Sequence, residues 1–113
     1  MKLRAACIQT HHADALVAFY TQVFGRPPHV DGDVDYQFAA EQLTIFRLAG
    51  ATAPATQSLA LIFTVDDVDS AYTRLDALGL CNGALPTNKP WGVHSFVITD
   101  PDGNTVSFTK AIA

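Results

Sequence analysis

The sequence predicts an α+β fold made of two βαβββ modules, and three observations carry that prediction. A sparse segment, AGATAPATQ at 49–57, has no charge and no periodic apolar residues, so it reads as a linker. The order strand, helix, then two or three strands occurs on each side of it. Each side also holds one apolar stripe at helical spacing. The boundaries that follow are module 1 at about 1–48, the linker at 49–57 and module 2 at about 58–113, within a single domain spanning 1–113.

In module 1, LRAACIQT is short and apolar enough for a strand. HADALVAFYTQVFG follows, with Leu16, Phe19, Tyr20, Val23 and Phe24 at i, i+3, i+4, i+7 and i+8, the stripe of an amphipathic helix. Gly25 and the Pro27-Pro28 pair stop it. VDGDVDY is rich in turn-forming Asp and Gly, and the apolar runs YQFAA and QLTIFRL complete the module.

In module 2, SLALIFTV is a strand and DDVDSAYTRLDALG a helix with Val68, Ala71, Tyr72, Leu75 and Leu78 on one face. Asp66 is the candidate N-cap, its carboxylate able to accept from the first exposed N–H groups, and Gly79 fits the C-terminal stop. GVHSFVIT and NTVSFTK are joined by Asp100-Pro101-Asp102-Gly103. Proline presets φ and glycine takes positive φ, so a hairpin belongs there. A half of this size leaves an apolar sheet face open and is marginal alone, which gives a physical reason for the duplication.

The two first strands align Arg4-Ala5-Ala6-Cys7-Ile8 with Ala60-Leu61-Ile62-Phe63-Thr64. Alternate strand residues share a face, so Leu61, Phe63 and Val65, the larger apolar set, are expected under the helix. Ala60, Ile62 and Thr64 then face the other way, and with them Arg4, Ala6 and Ile8. An arginine on that side implies a cavity reached by solvent, because a packed core holds an unpaired guanidinium only at high cost.

Composition narrows the function. The chain has 113 residues, 49% hydrophobic content and a net charge of -4, which suits one packed domain. There is no basic cluster, so neither nucleic acid nor an anionic membrane is expected as a partner. The apolar run in MKLRAACIQT ends well short of a signal-peptide core, and no stretch approaches the ~20 apolar residues of a membrane span. A cytoplasmic location is expected. Cys7 and Cys81 match no metal or redox spacing and read as free thiols.

FYTQVFG, FTVDDVDSAYTRLDALG and above all PWGVHSF followed by TDPDGNTVSF resemble the vicinal oxygen chelate superfamily of glyoxalases, extradiol dioxygenases and bleomycin-resistance-type binding proteins. The resemblance covers essentially the whole chain and is most similar to the compact resistance-type and glyoxalase-like members. It implies a curved, incompletely closed eight-stranded mixed sheet with helices on its outer face and a pocket in its hollow. It also implies a homodimer.

Catalytic members of that group bind one divalent metal, such as Zn, Ni, Mn or Fe. The ligands come from the first and last strands of each module, usually His or Gln on the former and Glu on the latter. Carried onto this sequence, the positions fall on Arg4, Ala60 and Ser107, and on Ile45, or Thr44 with a shift of one. Arginine offers no lone pair, alanine and isoleucine cannot coordinate, and serine is a poor ligand unless ionised. Glu41 is the chain's one glutamate, so the two-Glu pattern is missing. No cofactor is expected.

Other sites are weaker. His11 and His12 are adjacent and diverge, so they suit a junction better than a shared metal. His29 follows Pro28 in a turn-like segment. Asp31, Asp33 and Asp35 read as solvated turn acids without the glutamate that closes a calcium loop. Glu41 with His94 would make only a partial metal site.

The aromatic set Tyr36, Phe38, Phe46, Trp91 and Phe96 lies in segments that build the hollow in the resembled group. Flat apolar ligands need such rings with one or two polar anchors. His94 and Arg4 are candidate anchors, Arg4 for an anionic group. The expected ligand-binding residues are therefore Arg4, Tyr36, Phe38, Trp91, His94, Phe96 and Ser107, with no catalytic residue. The expected function is metal-independent binding of a small aromatic or amphipathic molecule, with sequestration or antibiotic resistance as its consequence. Two alternatives stand beside it. One is a glyoxalase-like lyase or isomerase, or a dioxygenase, with an atypical metal site. The other is a module whose hollow is filled by its own side chains.

Overall fold

The computed structural model describes residues 1–50 and 59–112. Most of the predicted linker lies outside the described residues. The chain divides into two compact units, residues 1–55 and 56–113, and among the described residues each is a mixed four-stranded sheet with one helix.

The first unit contains β1 (Ala6–Thr10), α1 (Ala13–Phe24), β2 (His29–Asp31), β3 (Asp35–Phe38), a 3-10 turn at Ala39–Glu41 and β4 (Leu43–Arg47). The strand order is β1-β4-β3-β2, with β1 parallel to β4 and the other pairs antiparallel. The helix buries Ala13, Leu16, Phe19, Tyr20 and Val23, close to the predicted stripe. Gly25 ends it at φ 77°, a left-handed conformation that glycine takes without steric cost. The acids read as turn acids flank and form the hairpin turn between β2 and β3. Gly32 and Asp33 both have positive φ, and they are the central residues of a tight turn closed by the Val34 N–H on the Asp31 carbonyl at 3.3 Å, within the three-residue connection between β2 and β3.

Ring contact identifies the covered face. Phe24 of α1 meets Phe38 edge-on at 5.0 Å between centroids. Phe38 pairs with Leu43, which pairs with Ala6, while Tyr36 pairs with Ile45 and Ile45 with Ile8. All of these therefore look toward the helix. The opposite face, here called the far face, carries Cys7, Gln9, Thr44, Phe46, Asp35 and Gln37.

The predicted facing of the first strand is corrected by this register. Ile8 is 3% exposed and belongs to the core, and Arg4 lies before β1 begins. The segment has small apolar residues at both parities, so the helix decides which set is buried, and a slip of one residue exchanges the faces.

The second unit contains β5 (Ala60–Thr64), α2 (Val68–Ala77), β6 (Thr87–Asn88), β7 (Val93–Thr99) and β8 (Thr105–Ala111), in the order β5-β8-β7-β6. Here the expected facing of the first strand matches. Leu61 and Phe63 are half-buried on the helix side, and Ala60, Ile62 and Thr64 are exposed. Tyr72 of α2 sits edge-on to Phe96, which stacks on Phe108, which stacks on Phe63.

The helix cap is Asp67 rather than the expected Asp66. Its carboxylate accepts the Ser70 N–H at 3.0 Å. Asp66 instead offers its backbone oxygen to Lys110 Nζ at 2.8 Å.

The predicted β7–β8 hairpin is present, and Asp100 organises its turn. Buried to 3% exposure, its carboxylate accepts from the N–H groups of Asp102 and Asn104 and from Asn104 Nδ2, each at 2.9 Å.

Two outcomes follow from these contacts. Asp100→Ala strands buried donors and should lower unfolding free energy by roughly 2–4 kcal/mol, read from urea denaturation. The Ser70 hydrogen bonds hold the Asp67 carboxyl below its usual range. A depressed folded-state pKa stabilises above the unfolded value and loses that stabilisation as pH falls through the folded one. The melting-temperature gap between wild type and Asp67→Ala should thus be full at neutral pH and close on acidification below about pH 4.

Candidate ligand-binding face

The far face of the first unit forms a small grid set by register. One row runs Cys7, Thr44, Gln37, His29, and the next runs Gln9, Phe46, Asp35, Asp31. Phe46 is a half-buried aromatic ring among polar neighbours. The grid opens at one end into a hollow of about 180 Å³ lined by Arg4, Ala5, Gln37, Phe38, Gln42 and Thr44. Gln42 shapes that end: its amide donates to the Leu3 carbonyl at 2.8 Å, and its own carbonyl accepts the Ala6 N–H at 2.8 Å. Arg4 thus stands at the rim of a hollow, though off the first strand.

Other predicted contacts lie elsewhere. Phe38 and Phe96, both 2% exposed, are core rings on the helix faces, so the expectation that they line a hollow is corrected for Phe96 and reduced to one wall for Phe38. Tyr36 is also a core residue, and its hydroxyl is engaged. It donates to the Asp33 carbonyl at 3.1 Å and accepts from Arg47 at 2.6 Å. Arg47 also donates to the Asp14 carboxylate and the Asp33 carbonyl. It therefore ties the first turn of α1 to the β2–β3 turn.

Trp91 is 73% exposed at the tip of the β6–β7 turn, where the Gly92 N–H donates to the Lys89 carbonyl. His94 lies on the helix side of β7, its Nε2 2.9 Å from Asp69 Oδ1 and its Nδ1 2.8 Å from Asn88 Oδ1. Both ring nitrogens are committed within the second unit. Glu41 pairs with Arg26, so the two residues weighed as a partial metal site each have hydrogen-bond partners within their own unit.

Ser107 lies on the far face of the second unit, between Ile62 and Val97 in register. Ile62 is 72% and Val97 37% exposed, and Thr64, Thr105 and Thr109 share that face. Ala60 is there too. Ile45 is wholly buried on the helix side, so Thr44 is the far-face residue of β4. Methyl and hydroxyl groups at Ala60, Ser107 and Thr44 do not fit a divalent metal, which needs several nitrogen, thiolate or oxygen donors. Among the described residues no three His, Cys, Asp or Glu side chains come together to hold one. No helix among them is long and apolar enough to cross a membrane.

The far-face residues Asp35, Gln37 and Gln9 went unassigned as anchors in the sequence, and Phe46 was named only among the rings of the hollow-building segments. Their signal was the alternation Asp35, Tyr36, Gln37, Phe38, in which rings at one parity mark core and polar side chains at the other mark the far face.

Residues 2–108 match the sequence profile of the Glyoxalase/Bleomycin resistance protein/Dioxygenase superfamily. No curated protein sequence matches the chain. Several solved structures share the fold. A conserved domain protein superposes at a TM-score of 0.81 with 23% identity, covering 98% of this chain and 99% of that one. Lactoylglutathione lyase from Agrobacterium tumefaciens superposes at 0.72 with 26% identity, covering 96% and 92%. A bleomycin-binding protein complexed with bleomycin superposes at 0.74 with 18% identity, covering 97% and 98%.

The far face has a measurable electrostatic consequence. Burial, and then the nearby Asp35 charge, push the Cys7 thiol up, and burial followed by Asp76 does the same for Cys81. A raised pKa leaves less thiolate at neutral pH. Both should alkylate with iodoacetamide more slowly than free cysteine at pH 7.5. Asp35→Asn should speed Cys7 and leave Cys81 unchanged, as followed by peptide mass spectrometry.

Proposed function

The chain belongs to the Glyoxalase/Bleomycin resistance protein/Dioxygenase superfamily, and from that premise we propose that it binds a small aromatic or amphipathic molecule without a metal. The observation that carries this reading is the residue set at the metal positions. By the family resemblance, Ala60 falls where catalytic members usually have His or Gln, and Ser107 and Thr44 fall where they usually have Glu. A bleomycin-binding protein among the structural neighbours supports small-molecule binding at the coarse level. The finer reading adds metal independence, a homodimer and a cytoplasmic location.

Binding itself is the mechanism. A flat ligand laid on Phe46 removes ring surface from water, worth about 2.5 kcal/mol for each 100 Å² of apolar area buried. Gln9, Gln37 and Thr44 both donate and accept hydrogen bonds, so they satisfy polar edges of a ligand without fixing its charge. Sequestration follows from affinity alone, and resistance follows where the ligand is toxic.

Tag-free protein should therefore carry far less than one metal per chain by elemental analysis, and Ni, Zn, Mn and Fe(II) should each leave its melting temperature unchanged. Stoichiometric metal, or selective stabilisation by one ion, would sink the reading in favour of a lyase, isomerase or dioxygenase with an atypical centre.

A further inference from the structure

On the far face of the first unit the charges are distributed unevenly. Asp31 and Asp35 sit directly opposite each other in the β2–β3 register, and like charges so placed destabilise a sheet. Asp35 Oδ2 accepts from Gln37 Nε2 at 2.9 Å, while its Oδ1 is buried with no hydrogen-bond partner. A buried acceptor left unpaired costs free energy. The like-charge penalty is relieved by a cationic N–H group set against the exposed edges of the two carboxylates.

The opposite sign stands at the other end. Arg4 lines the 180 Å³ hollow with Gln37 and Thr44, and among the described residues it makes no ion pair. Gln37 and Thr44 lie one strand repeat from Asp35 and Phe46, roughly 6.6 Å along the sheet. Phe46, beside Asp35 in register, supplies the apolar bed at the carboxylate end, and Gln37 and Thr44 lie between it and Arg4.

We propose that this face takes an aromatic molecule with a cationic N–H group at one end and an anionic group at the other. The ammonium or amidinium meets Asp31 and Asp35, the ring covers Phe46, and the anion meets Arg4, whose planar fork suits a carboxylate or phosphate. The inference rests on the small-molecule binding reading and deepens it. It assigns ligand charge where that reading assigns only shape and apolarity.

The test is a nitrogen-15 NMR titration of the full chain with four probes of one shape. These are 4-(aminomethyl)benzoate, benzylamine, 4-methylbenzoate and the neutral 4-methylbenzamide. The zwitterion should bind roughly tenfold tighter than either singly charged probe, with shifts centred on β1, β3 and β4. Asp35→Asn should erase its advantage over 4-methylbenzoate. Arg4→Gln, at an exposed position before β1, should erase its advantage over benzylamine and keeps the test decisive if the Asp35 variant folds poorly. Equal binding of all four probes, indifference to both variants, or shifts confined to the second unit would overturn this inference and leave the broader function standing. No binding by any probe would overturn both.

Discussion

Each four-stranded sheet in this chain has one helix of its own to bury it, and that scarcity of cover governs the rest. One helix shields one sheet face, so strand alternation divides every strand into a core set and a set left over. In the first unit the contact of Phe24 with Phe38 settles the division, and the register then carries it to Leu43, Ile45 and Ile8. In the second unit the run of rings from Tyr72 through Phe96 and Phe108 to Phe63 does the same. The leftover sets are where polar chemistry can stand: Gln, Thr and Asp in the first unit, and Thr and Ser beside Ile62 and Val97 in the second.

Legibility followed local determinism. The Asp100-Pro101-Asp102-Gly103 turn, both helices and the βαβββ order were readable because turn dihedrals and the 3.6-residue stripe are fixed within a few neighbouring residues. β1 was not readable to the residue. Ala5 and Cys7 alternate with Ala6 and Ile8, and neither parity is polar enough to announce itself. The tertiary fit to α1 decides it.

The rings were misread for a related reason. Tyr36, Phe38 and Phe96 are the large residues of strands that need something to press against a helix, so core packing had the first claim on them. The partners of His94, Tyr36 and Glu41 were invisible because they come from 25, 11 and 15 residues away. Nothing in local spacing marks such pairs.

Binding without a metal, as proposed for this chain, changes how a face can choose its ligand. A bound ion fixes one donor atom strongly and lets the surrounding residues be loosely arranged. A face without one must divide orientation among weaker contacts, and most of those here are ambivalent. Glutamine amides rotate, and threonine hydroxyls donate or accept as the ligand demands. Only groups of fixed sign can reject a wrong orientation, because reversing a ligand over them sets like charges together. In the proposed mode those groups are Asp31 and Asp35 on the first unit's far face and Arg4 at the rim of the hollow. Phe46 would then supply affinity without preference, and the carboxylate pair and the guanidinium would supply preference. Affinity and selectivity would thus reside in different residues, the opposite of a metal site, in which one centre carries both.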